Sequence, residues 1–455
     1  MTKFTYAHLA DLHLGSWRED KMRHLSTNAF LQAIDNCINQ NVDFIIFAGD
    51  LFNTSLPSLD TLKIVTKKLK ELNDKNIPLY AIAGSHDFSP SGKTMIDVLE
   101  SAGLLKNVCK GKINPETKEL HLSFTIDQKT GAKLTGILGR RGLLDKTYYE
   151  NLHRETLEQE PGYKIFLFHT TIGELLPKHL EIMESQPLSF LPSKFNYYAG
   201  GHIHHPTKKE FTTHQVVTYT GALFPNNFQE LERYSHGGYY IIQVNDNPEN
   251  NSHNQIKNEP LIENNTSVND NEQASKPHNL TTTTTEPDVI TWTPLNTVPH
   301  HKIILKCNGK SPDIITYEIS ESFKQNIQGA LLTIRLEGTI SNGKPSDINW
   351  KEITEQLYER GALFIMKNTV KLESETYEEI SIGTNDPELI EEQLIKEHLG
   401  QQTKYNKETE LHITKELLQT LTTTKREGET VTDFQKRIES DINKVLNINV
   451  NQPHE

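Results

Sequence analysis

Side-chain types that bind metal ions follow each of five apolar segments in the first 204 residues. In the segment that ends Ala-Gly-Ser-His-Asp, an imidazole and a carboxylate stand directly after an apolar run. In extended chain, the outer residues of Asp-x-His and His-x-His point to the same side. Carboxylates combined with imidazoles suit Mn²⁺, Fe²⁺ or Zn²⁺ better than Mg²⁺. The candidate metal ligands are Asp11, His13, Asp50, Ser85, His169, His202 and His204, with His86 and Asp87 beside them.

The number of candidate ligands indicates a pair of ions. Six or seven ligands are too many for one open catalytic ion, and a carboxylate, most naturally that of Asp50, would bridge two. Two ions roughly 3.5–4 Å apart can stabilise both the attacking and the leaving oxygen of a phosphoryl displacement. A lone histidine at the end of a strand is more commonly a structural residue, and we assign His8 and His205 to that class. Five segments that all end in ligand types favour the metal interpretation.

The segments that precede the candidate ligands are continuous and apolar, which is typical of strands buried on both faces. Helical patterns separate the first three, and Ser58 is a good N-cap for the second helix. Alternating strands and helices predict an α/β layered domain, in which ligands bind outside the carboxyl ends of the strands. We therefore expect the candidate ligands to converge. The predicted strands lie within residues 4–11, 42–50, 77–87, 163–170 and 195–204.

A polar segment at residues 246–287 follows this main domain, which is predicted over residues 1–245. Asparagine dominates the segment, glycine and aromatic residues are absent, and five threonines follow one another. Such a composition cannot bury enough apolar surface to offset the chain entropy, so we expect disorder. Strand patterns at 238–244 and 288–295 flank the segment. We expect these strands to pair, which makes the polar segment a loop inserted between them.

A smaller α/β module is predicted within residues 288–385, and a helical tail within residues 386–455. In the tail, one helix begins at Asp386-Pro387 and ends at Gly400, and an amphipathic helix spans residues 430–446. These helices either pack on their own domain or dock a partner. The module has strand patterns at 302–307, 330–336 and 362–372, and helical patterns at 316–328 and 348–361.

The bulk composition limits the class of protein without choosing a substrate. The formal net charge is −13, but residues 1–245 hold 26 Lys and Arg against 26 Asp and Glu, so a polyanionic substrate is not excluded. Three widely spaced cysteines form no CxxC pair, which argues for a reducing cytoplasm and against a structural zinc site. We find no signal peptide and no apolar run of membrane-span length. We therefore expect a soluble cytoplasmic protein without membrane association.

The motifs around the candidate ligands resemble, in order and spacing, the signature motifs of the calcineurin-like metallophosphoesterases. These motifs are DLHLG, GDLF, GSHD, FHT and GGHIHH. Within that superfamily the chain is similar to the SbcD/Mre-eleven DNA repair nucleases, through YAHLADLHLG, GDLFNTSLPS and TGALFPNNFQELE. The module at about 300–385 takes the position of that family's DNA-capping domain. The resemblance implies an α/β layered calcineurin-like metallophosphoesterase sandwich with a smaller α/β capping domain and a helical C-terminal tail.

The resemblance also implies a role for each candidate residue, with two Mn²⁺ ions or other divalent transition metals as cofactors. By position, the first metal is held by Asp11, His13, Asp50 and His204, and the second by Asp50, Ser85, His169 and His202. The histidine that matches His86 lies beside the scissile phosphate, where it stabilises or protonates the leaving group. The neighbouring carboxylate of Asp87 could orient that imidazole.

Two residues depart from the family pattern. Ser85 stands where the superfamily has an asparagine, whose carbonyl oxygen binds the second metal. A serine hydroxyl is a weaker and shorter ligand. Asn53 stands where several relatives have a second active-site histidine, which bears on any preference for duplex ends.

The activity that the resemblance implies is 3′→5′ exonuclease and endonuclease action on DNA ends in double-strand break repair. It also implies an SbcC-type coiled-coil ATPase partner, a homodimer within a heterotetramer, and association with the nucleoid. No base-reading motif is visible, so recognition would be of backbone and ends. Two alternatives remain: a phosphodiesterase or phosphatase for small or protein substrates, and a DNA-binding scaffold in which Ser85 weakens catalysis. Basic residues that could contact phosphates are Lys63, Lys67, Lys68, Lys70, Arg140, Arg141, Lys208 and Lys209.

Overall fold

The computed structural model describes residues 3–89, 92–245, 288–374, 395, 407–426 and 429–446. The chain separates into two compact units, Met1–Ser374 and Glu375–Glu455. The segment 246–287, for which disorder is predicted, lies outside the described residues, as does the helix predicted from Asp386 to Gly400 apart from residue 395.

The first unit contains two six-stranded sheets. In the first sheet, β1 to β4 are parallel, and two antiparallel strands extend the β1 edge. Its strands, in spatial order, are β14 (Val289–Leu295), β13 (Gly237–Val244), β1 (Phe4–Leu9), β2 (Phe44–Ala48), β3 (Leu79–Ile82) and β4 (Lys106–Asn107).

The second sheet has four parallel strands with an antiparallel strand at each edge. Its strands, in spatial order, are β11 (Thr207–Phe211), β12 (Gln215–Tyr219), β10 (Tyr197–Gly201), β9 (Lys164–His169), β8 (Lys133–Ile137) and β7 (Thr125–Ile126). A separate hairpin joins β5 (Gly111–Ile113) to β6 (Leu120–Leu122). All five strands predicted from the apolar segments are confirmed as β1, β2, β3, β9 and β10.

The two sheets pack face to face through a core rich in aromatic residues. Tyr6 and Phe44 stack with ring centroids 4.8 Å apart, and Tyr197 meets the Tyr6 ring edge-on. The inner residues of both sheets are fully buried, which explains why the strand sequences are continuous rather than alternating. The sheets therefore form the sandwich that the sequence predicts.

Helices cover the outer faces of the sandwich. The predicted helix stripe at Phe30, Ile34 and Cys37 is buried against the first sheet, and Ser58 caps α2 by accepting from the Thr61 amide. The helices of this part are α1 (Asp20–Asn39), α2 (Leu59–Asp74), α3 (Met95–Ser101), α4 (Lys146–Glu150), α5 (Arg154–Gln159) and α6 (Phe228–Tyr234). Single 3₁₀ turns lie at Arg141–Leu143, Gly173–Leu175, Lys178–Leu180, Leu188–Phe190 and Pro345–Asp347.

The strands on either side of the polar segment pair with each other, as predicted. Strands β13 and β14 are antiparallel, with Gln243 opposite Val289 and Gly237 opposite Leu295. The Asn245 amide also donates to Asp288 Oδ1. The polar segment therefore connects two neighbouring strands of one sheet.

The smaller module is a three-stranded parallel sheet with two crossover helices. Its elements are β15 (His300–Lys306), α7 (Pro312–Ser322), β16 (Leu331–Ile340), α8 (Trp350–Glu359) and β17 (Phe364–Ser374). Helix α7 begins four residues earlier than the predicted start at residue 316 and ends before residue 328. The early start has a local cause, because Ser311 caps the helix and Pro312 occupies its first turn, where a missing amide costs nothing.

Two helices are described in the second unit, α9 (Lys407–Leu421) and α10 (Val431–Val445). Helix α10 matches the predicted amphipathic helix, and Thr430 caps it by accepting from the Asp433 amide. Across the described parts of the chain, no helix combines the length and the apolar character needed to cross a bilayer.

Candidate metal centre

The predicted ligands lie just beyond the carboxyl ends of β1, β2, β3, β9 and β10, where the two sheets meet. In one group, ligand atoms of Asp11, His13 and His204 lie within 4.8 Å of one another. In another, Asp11 is grouped in the same way with Asp50 and His169. The structure therefore brings carboxylates and imidazoles from four strands into one pocket, and Asp11 contributes to both groups.

Four of the predicted ligands have an unusual backbone conformation. The φ angles are 51° for Asp11, 41° for His13, 53° for Asp50 and 88° for His202. Residues with a Cβ rarely occupy this left-handed region, and such strain persists only where the surroundings impose it. Hydrogen bonds between the two loops do so here, because the Asp11 amide donates to Gly49 O and the His13 amide donates to Asp50 O. Strain concentrated on these residues indicates a functional site.

Asp50 lies at the centre of the pocket. Its Oδ2 is 3.5 Å from His13 Nε2 and 3.2 Å from His169 Nε2, so one oxygen faces a histidine of each predicted metal set. Its Oδ1 accepts from the His86 amide at 2.7 Å. Burial alone would raise the pKa of Asp50, but His169 and His13 outweigh burial and hold the pKa well below its usual value. Asp50 is therefore ionised and placed as the prediction of a bridging carboxylate requires.

Hydrogen bonds orient the imidazoles so that Nε2 faces the pocket. His169 Nδ1 donates to Ala48 O at 2.8 Å, and His204 Nδ1 donates to Glu230 Oε1 at 2.9 Å. Metal-binding histidines are commonly held in this way, by a carbonyl or carboxylate on the other ring nitrogen. The inward-facing Nε2 atoms of His13 and His204 lie 3.1 Å apart.

The pocket fits divalent transition metals. His169 Nε2 is buried and lies 3.2 Å from Asp50 Oδ2. Glycines enclose the same ring, since a Cβ on Gly49 would lie 2.2 Å from His169 Nδ1 and one on Gly139 would lie 2.4 Å from His169 Cδ2. Buried imidazole nitrogens beside carboxylates are a donor set for Mn²⁺, Fe²⁺ or Zn²⁺.

The charges of the pocket favour cations. Burial lowers the pKa of His13 to about 3 and that of His202 to about 4, so both imidazoles are neutral. Burial would also lower the pKa of His169 and His204. The carboxylate of Asp50 nevertheless raises the pKa of His169 to about 10, and Glu230 raises that of His204 to about 9. The negative charge of these carboxylates therefore stabilises the protonated forms of His169 and His204.

Ser85 and His202 lie at the edge of this group. The Ser85 hydroxyl donates to Asp50 Oδ2 at 3.3 Å. The His202 ring centroid is 5.2 Å from that of His169, and the His202 amide donates to both carboxylate oxygens of Asp11. Both residues are in the pocket, and their assignment as ligands of the second metal stays a prediction.

The predicted contact between Asp87 and the His86 ring is wrong. Asp87 is buried, and its carboxylate accepts from the backbone amides of Gly84, Asp50 and Phe52. Burial, with the negative charge of Asp50, raises the pKa of Asp87 to about 7. His86 Nδ1 instead donates to the carbonyl of Asn53 at 2.8 Å. Asp87 therefore shapes the ligand loops, and Asn53 orients His86 through its backbone.

Among the basic residues predicted to contact phosphates, the arginines lie nearest the pocket. Arg141 Nη2 is 3.4 Å from His86 Nδ1, and the Arg140 guanidinium lies over the Phe88 ring. Two lysines of α2 are engaged elsewhere, because Lys68 pairs with Asp35 and Glu71, and Lys70 pairs with Asp74. Lys209 donates to Glu174 O, and Lys208 pairs with Glu210.

Glu230 is a residue of this site that the strand-end pattern could not identify. It lies in α6, and its carboxylate accepts from the Asn226 amide as well as from His204. The Asn227 side chain in turn caps the helix by accepting from the Glu230 amide. The sequence signal was an N-cap residue followed three positions later by glutamate, which predicts a helix start but not its neighbour in space.

The two histidines assigned to structural roles lie outside the two ligand groups. His8 is fully buried, with Nδ1 2.9 Å from the Tyr197 hydroxyl. His205 Nδ1 is 3.0 Å from the Tyr234 hydroxyl. Each ring has a hydrogen-bond partner that accounts for its position.

Comparisons with known proteins show which families the N-terminal part of the chain is similar to. Residues 4–206 match the family model described as calcineurin-like phosphoesterase. The DNA double-strand break repair protein Mre11 of Methanococcus maripaludis is 29% identical over 240 residues, covering 51% of this chain and 60% of that protein. The protein of the same name from Archaeoglobus fulgidus is 29% identical over 238 residues, covering 50% of this chain and 52% of that protein. The matched region thus spans little more than half the length of these curated relatives.

A more distant likeness is to the crystal structure of a dimetal phosphatase from Danio rerio. It covers 53% of this chain and 92% of that chain, at 10% sequence identity and a TM-score of 0.35. An overall likeness of this degree does not bear on the site. The assignment of the fold rests on the matched family model and on the paired sheets.

Proposed function

Because residues 4–206 match the calcineurin-like phosphoesterase family model, we propose that this chain is a metal-dependent nuclease that hydrolyses DNA phosphodiesters at DNA ends in double-strand break repair. The observation that carries the proposal is the convergence of Asp11, Asp50 and His169, with the buried Nε2 of His169 3.2 Å from Asp50 Oδ2. The similarity to two archaeal Mre11 proteins supports DNA as the substrate.

Two divalent ions, proposed as Mn²⁺, would be held by the residues around Asp50. The first set is Asp11, His13, Asp50 and His204, and the second is Asp50, Ser85, His169 and His202. When bound, such ions lower the pKa of water towards neutrality and offset the charge of the phosphate. Two of these carboxylates are themselves held by backbone amides. Asp50 accepts from the His86 amide, and Asp11 accepts from the His202 amide.

His86 is proposed to assist departure of the leaving oxygen. Its Nδ1 proton is donated to the Asn53 carbonyl, so Nε2 is the atom that gives or takes a proton at the substrate. The ring packs edge-on against His13, with centroids 4.7 Å apart, which places it directly beside the first ligand set. Arg141, close to His86, is suited to bind a phosphate oxygen.

The finer features of the function are proposed from the family. They are 3′→5′ exonuclease and endonuclease action, an SbcC-type coiled-coil ATPase partner, and a homodimer within a heterotetramer at the nucleoid. The module of β15–β17 is proposed as the DNA-capping domain, with recognition of backbone and ends rather than bases. Helices α9 and α10 are proposed to dock the ATPase.

The test is cleavage of end-labelled single- and double-stranded DNA during a Mn²⁺ titration. We expect Asp50→Ala and His86→Ala to lower turnover by about 10²-fold or more. His205→Gln, outside the ligand groups, serves as the control and should retain activity. Full activity of Asp50→Ala would refute the assignment. Cleavage of nucleotides or phosphopeptides in preference to DNA would identify a phosphodiesterase or phosphatase instead.

A DNA-binding scaffold with weakened catalysis is the second candidate, because Ser85 supplies a hydroxyl where the superfamily has an amide. Its Oγ already donates to Asp50, so it offers the second metal a weak donor. Ser85→Asn should tighten binding of the second Mn²⁺ in calorimetry and raise cleavage in parallel. Unchanged metal affinity would place residue 85 outside the coordination shell. DNA binding without cleavage in any divalent metal would favour the scaffold.

A further inference from the structure

We propose that Glu119, His121 and His153 form a separate site for one transition-metal ion of the Zn²⁺ class, independent of the proposed nuclease centre. The three residues lie on the β5–β6 hairpin and on the segment between α4 and α5. Their ligand atoms fall within 4.8 Å of one another, and none of them belongs to the ligand groups of the candidate metal centre.

The distances within this cluster fit a shared ion better than direct hydrogen bonds. His121 Nε2 is 3.7 Å from Glu119 Oε2, and His153 Nδ1 is 3.7 Å from Glu119 Oε1. Both separations exceed hydrogen-bond range. Two atoms each about 2.1 Å from a tetrahedral Zn²⁺ would be about 3.4 Å apart, so small side-chain movements complete the geometry.

The backbone already holds the three side chains together. Residues 119 and 121 are two apart in extended chain and face the same side. The Leu120 amide donates to Asn151 O at 2.7 Å, and the His153 amide donates back to Leu120 O at 3.0 Å. The Thr117 hydroxyl donates to Glu119 Oε2 and fixes the carboxylate. Metal binding would therefore require little ordering of the chain.

The imidazole pair has a geometry that a cation would stabilise. The rings of His121 and His153 are stacked, with centroids 4.3 Å apart and an interplanar angle of 28°. Two neutral imidazoles and one carboxylate are a donor set typical of Zn²⁺, with a fourth position left for water. All three side chains are partly exposed, so an ion can reach them from solvent.

The consequence of binding would be a cross-link between the hairpin and the segment after α4. That segment follows the Arg141–Leu143 turn, which carries the arginine beside His86. The proposed ion would thus brace the chain behind a part of the nuclease pocket without touching the pocket itself.

The first test is the Zn²⁺ content of the full chain after equilibrium dialysis. The variant is the double substitution His121→Gln with His153→Gln. The control is His24→Gln with His412→Gln, two exposed histidines, one of which already lies near a carboxylate. We expect the variant to bind one equivalent of Zn²⁺ less than the wild type, and the control to bind the same amount. Equal zinc content in all three proteins would overturn the proposal.

The second test uses the wild-type chain and does not depend on folding of a variant. Diethyl pyrocarbonate modifies accessible histidines, and mass spectrometry locates the products. Zn²⁺ should protect His121 and His153 and leave His24 and His412 reactive. Loss of DNA cleavage in the variant is not expected, so failure of this proposal and failure of the proposed nuclease function give different results. Modification of His121 and His153 at the same rate with and without Zn²⁺ would contradict the site.

Discussion

At the scale of single residues, we expect the carboxylate that holds His204 to determine the affinity of the first proposed metal site. Glu230 belongs to none of the ligand groups, but it accepts the Nδ1 proton of His204 at 2.9 Å. Glu230→Gln removes the charge and keeps an acceptor. We expect a loss of about 10- to 100-fold in affinity for the first Mn²⁺, measured by calorimetry, with little change in thermal stability.

Glu210→Gln is the matched control for this prediction, since Glu210 is exposed and pairs only with a surface lysine. Its metal affinity should equal that of the wild type. Equal metal affinity in both variants would show that Glu230 does not position His204.

His8 makes the fold sensitive to acid. Burial lowers the pKa of His8 to about 3, whereas the unfolded chain binds the proton below about pH 6.5. The unfolded state therefore gains protons first as the pH falls, and stability is lost. This one residue should cost about 2 kcal/mol between pH 7 and pH 5. Urea unfolding of metal-free wild type and His8→Asn at both pH values measures it, and the same pH dependence in both proteins would exclude His8.

The convergence of the candidate ligands could be predicted from the sequence because each is a chemically distinctive residue at the end of a strand pattern. Glu230 and the Glu119 cluster could not, because their partners come from segments whose proximity only the tertiary structure sets. The contact of Asp87 was predicted wrongly for the same reason. Adjacency in sequence favoured His86 as its partner, but a buried carboxylate satisfied the amides of two loops instead.

At the scale of elements, helix α6 connects the smaller module to the main domain. Arg335 of β16 makes a bidentate ion pair with Glu232 of α6. Both side chains are largely buried, at 11% and 14% exposed. Arg335→Met leaves the Glu232 carboxylate without this partner. The free energy of unfolding should fall by about 1–3 kcal/mol in urea titrations.

The control for that pair is Lys306→Met, which removes an exposed lysine from Glu337. Its cost should be smaller than that of Arg335→Met, because solvent screens exposed pairs. Equal losses of unfolding free energy in both variants would show that burial does not strengthen the ion pair between Arg335 and Glu232.

The existence and order of the elements could be predicted in the main domain, since buried strands and amphipathic helices have distinct periods. The boundaries were less predictable. Helix α7 starts at a Ser-Pro cap that the apolar pattern does not include, and it ends at residue 322 although the apolar pattern continues to Ile327.

At the scale of the whole molecule, the polar segment is an insertion between neighbouring strands. Deleting residues 248–285 leaves a short hairpin connection between β13 and β14, whose register is already fixed by Gly237–Val244 and Val289–Leu295. Closing a shorter loop costs less entropy. The deletion variant should be as stable as the wild type or more stable by up to about 2 kcal/mol. A large drop in melting temperature would mean that the segment contributes to the fold.

Helix α6 has two carboxylates with different partners, two residues apart. Glu230 contacts the imidazole of His204, a proposed metal ligand, and Glu232 contacts the smaller module. A substrate that shifts the smaller module would therefore shift α6 and, through Glu230, the imidazole of His204. By thermodynamic linkage, the factor by which the substrate changes the affinity for the ion equals the factor by which the ion changes the affinity for the substrate. We therefore expect the ion and a large substrate to bind cooperatively. A small phosphoester that does not contact the module should bind without this cooperativity.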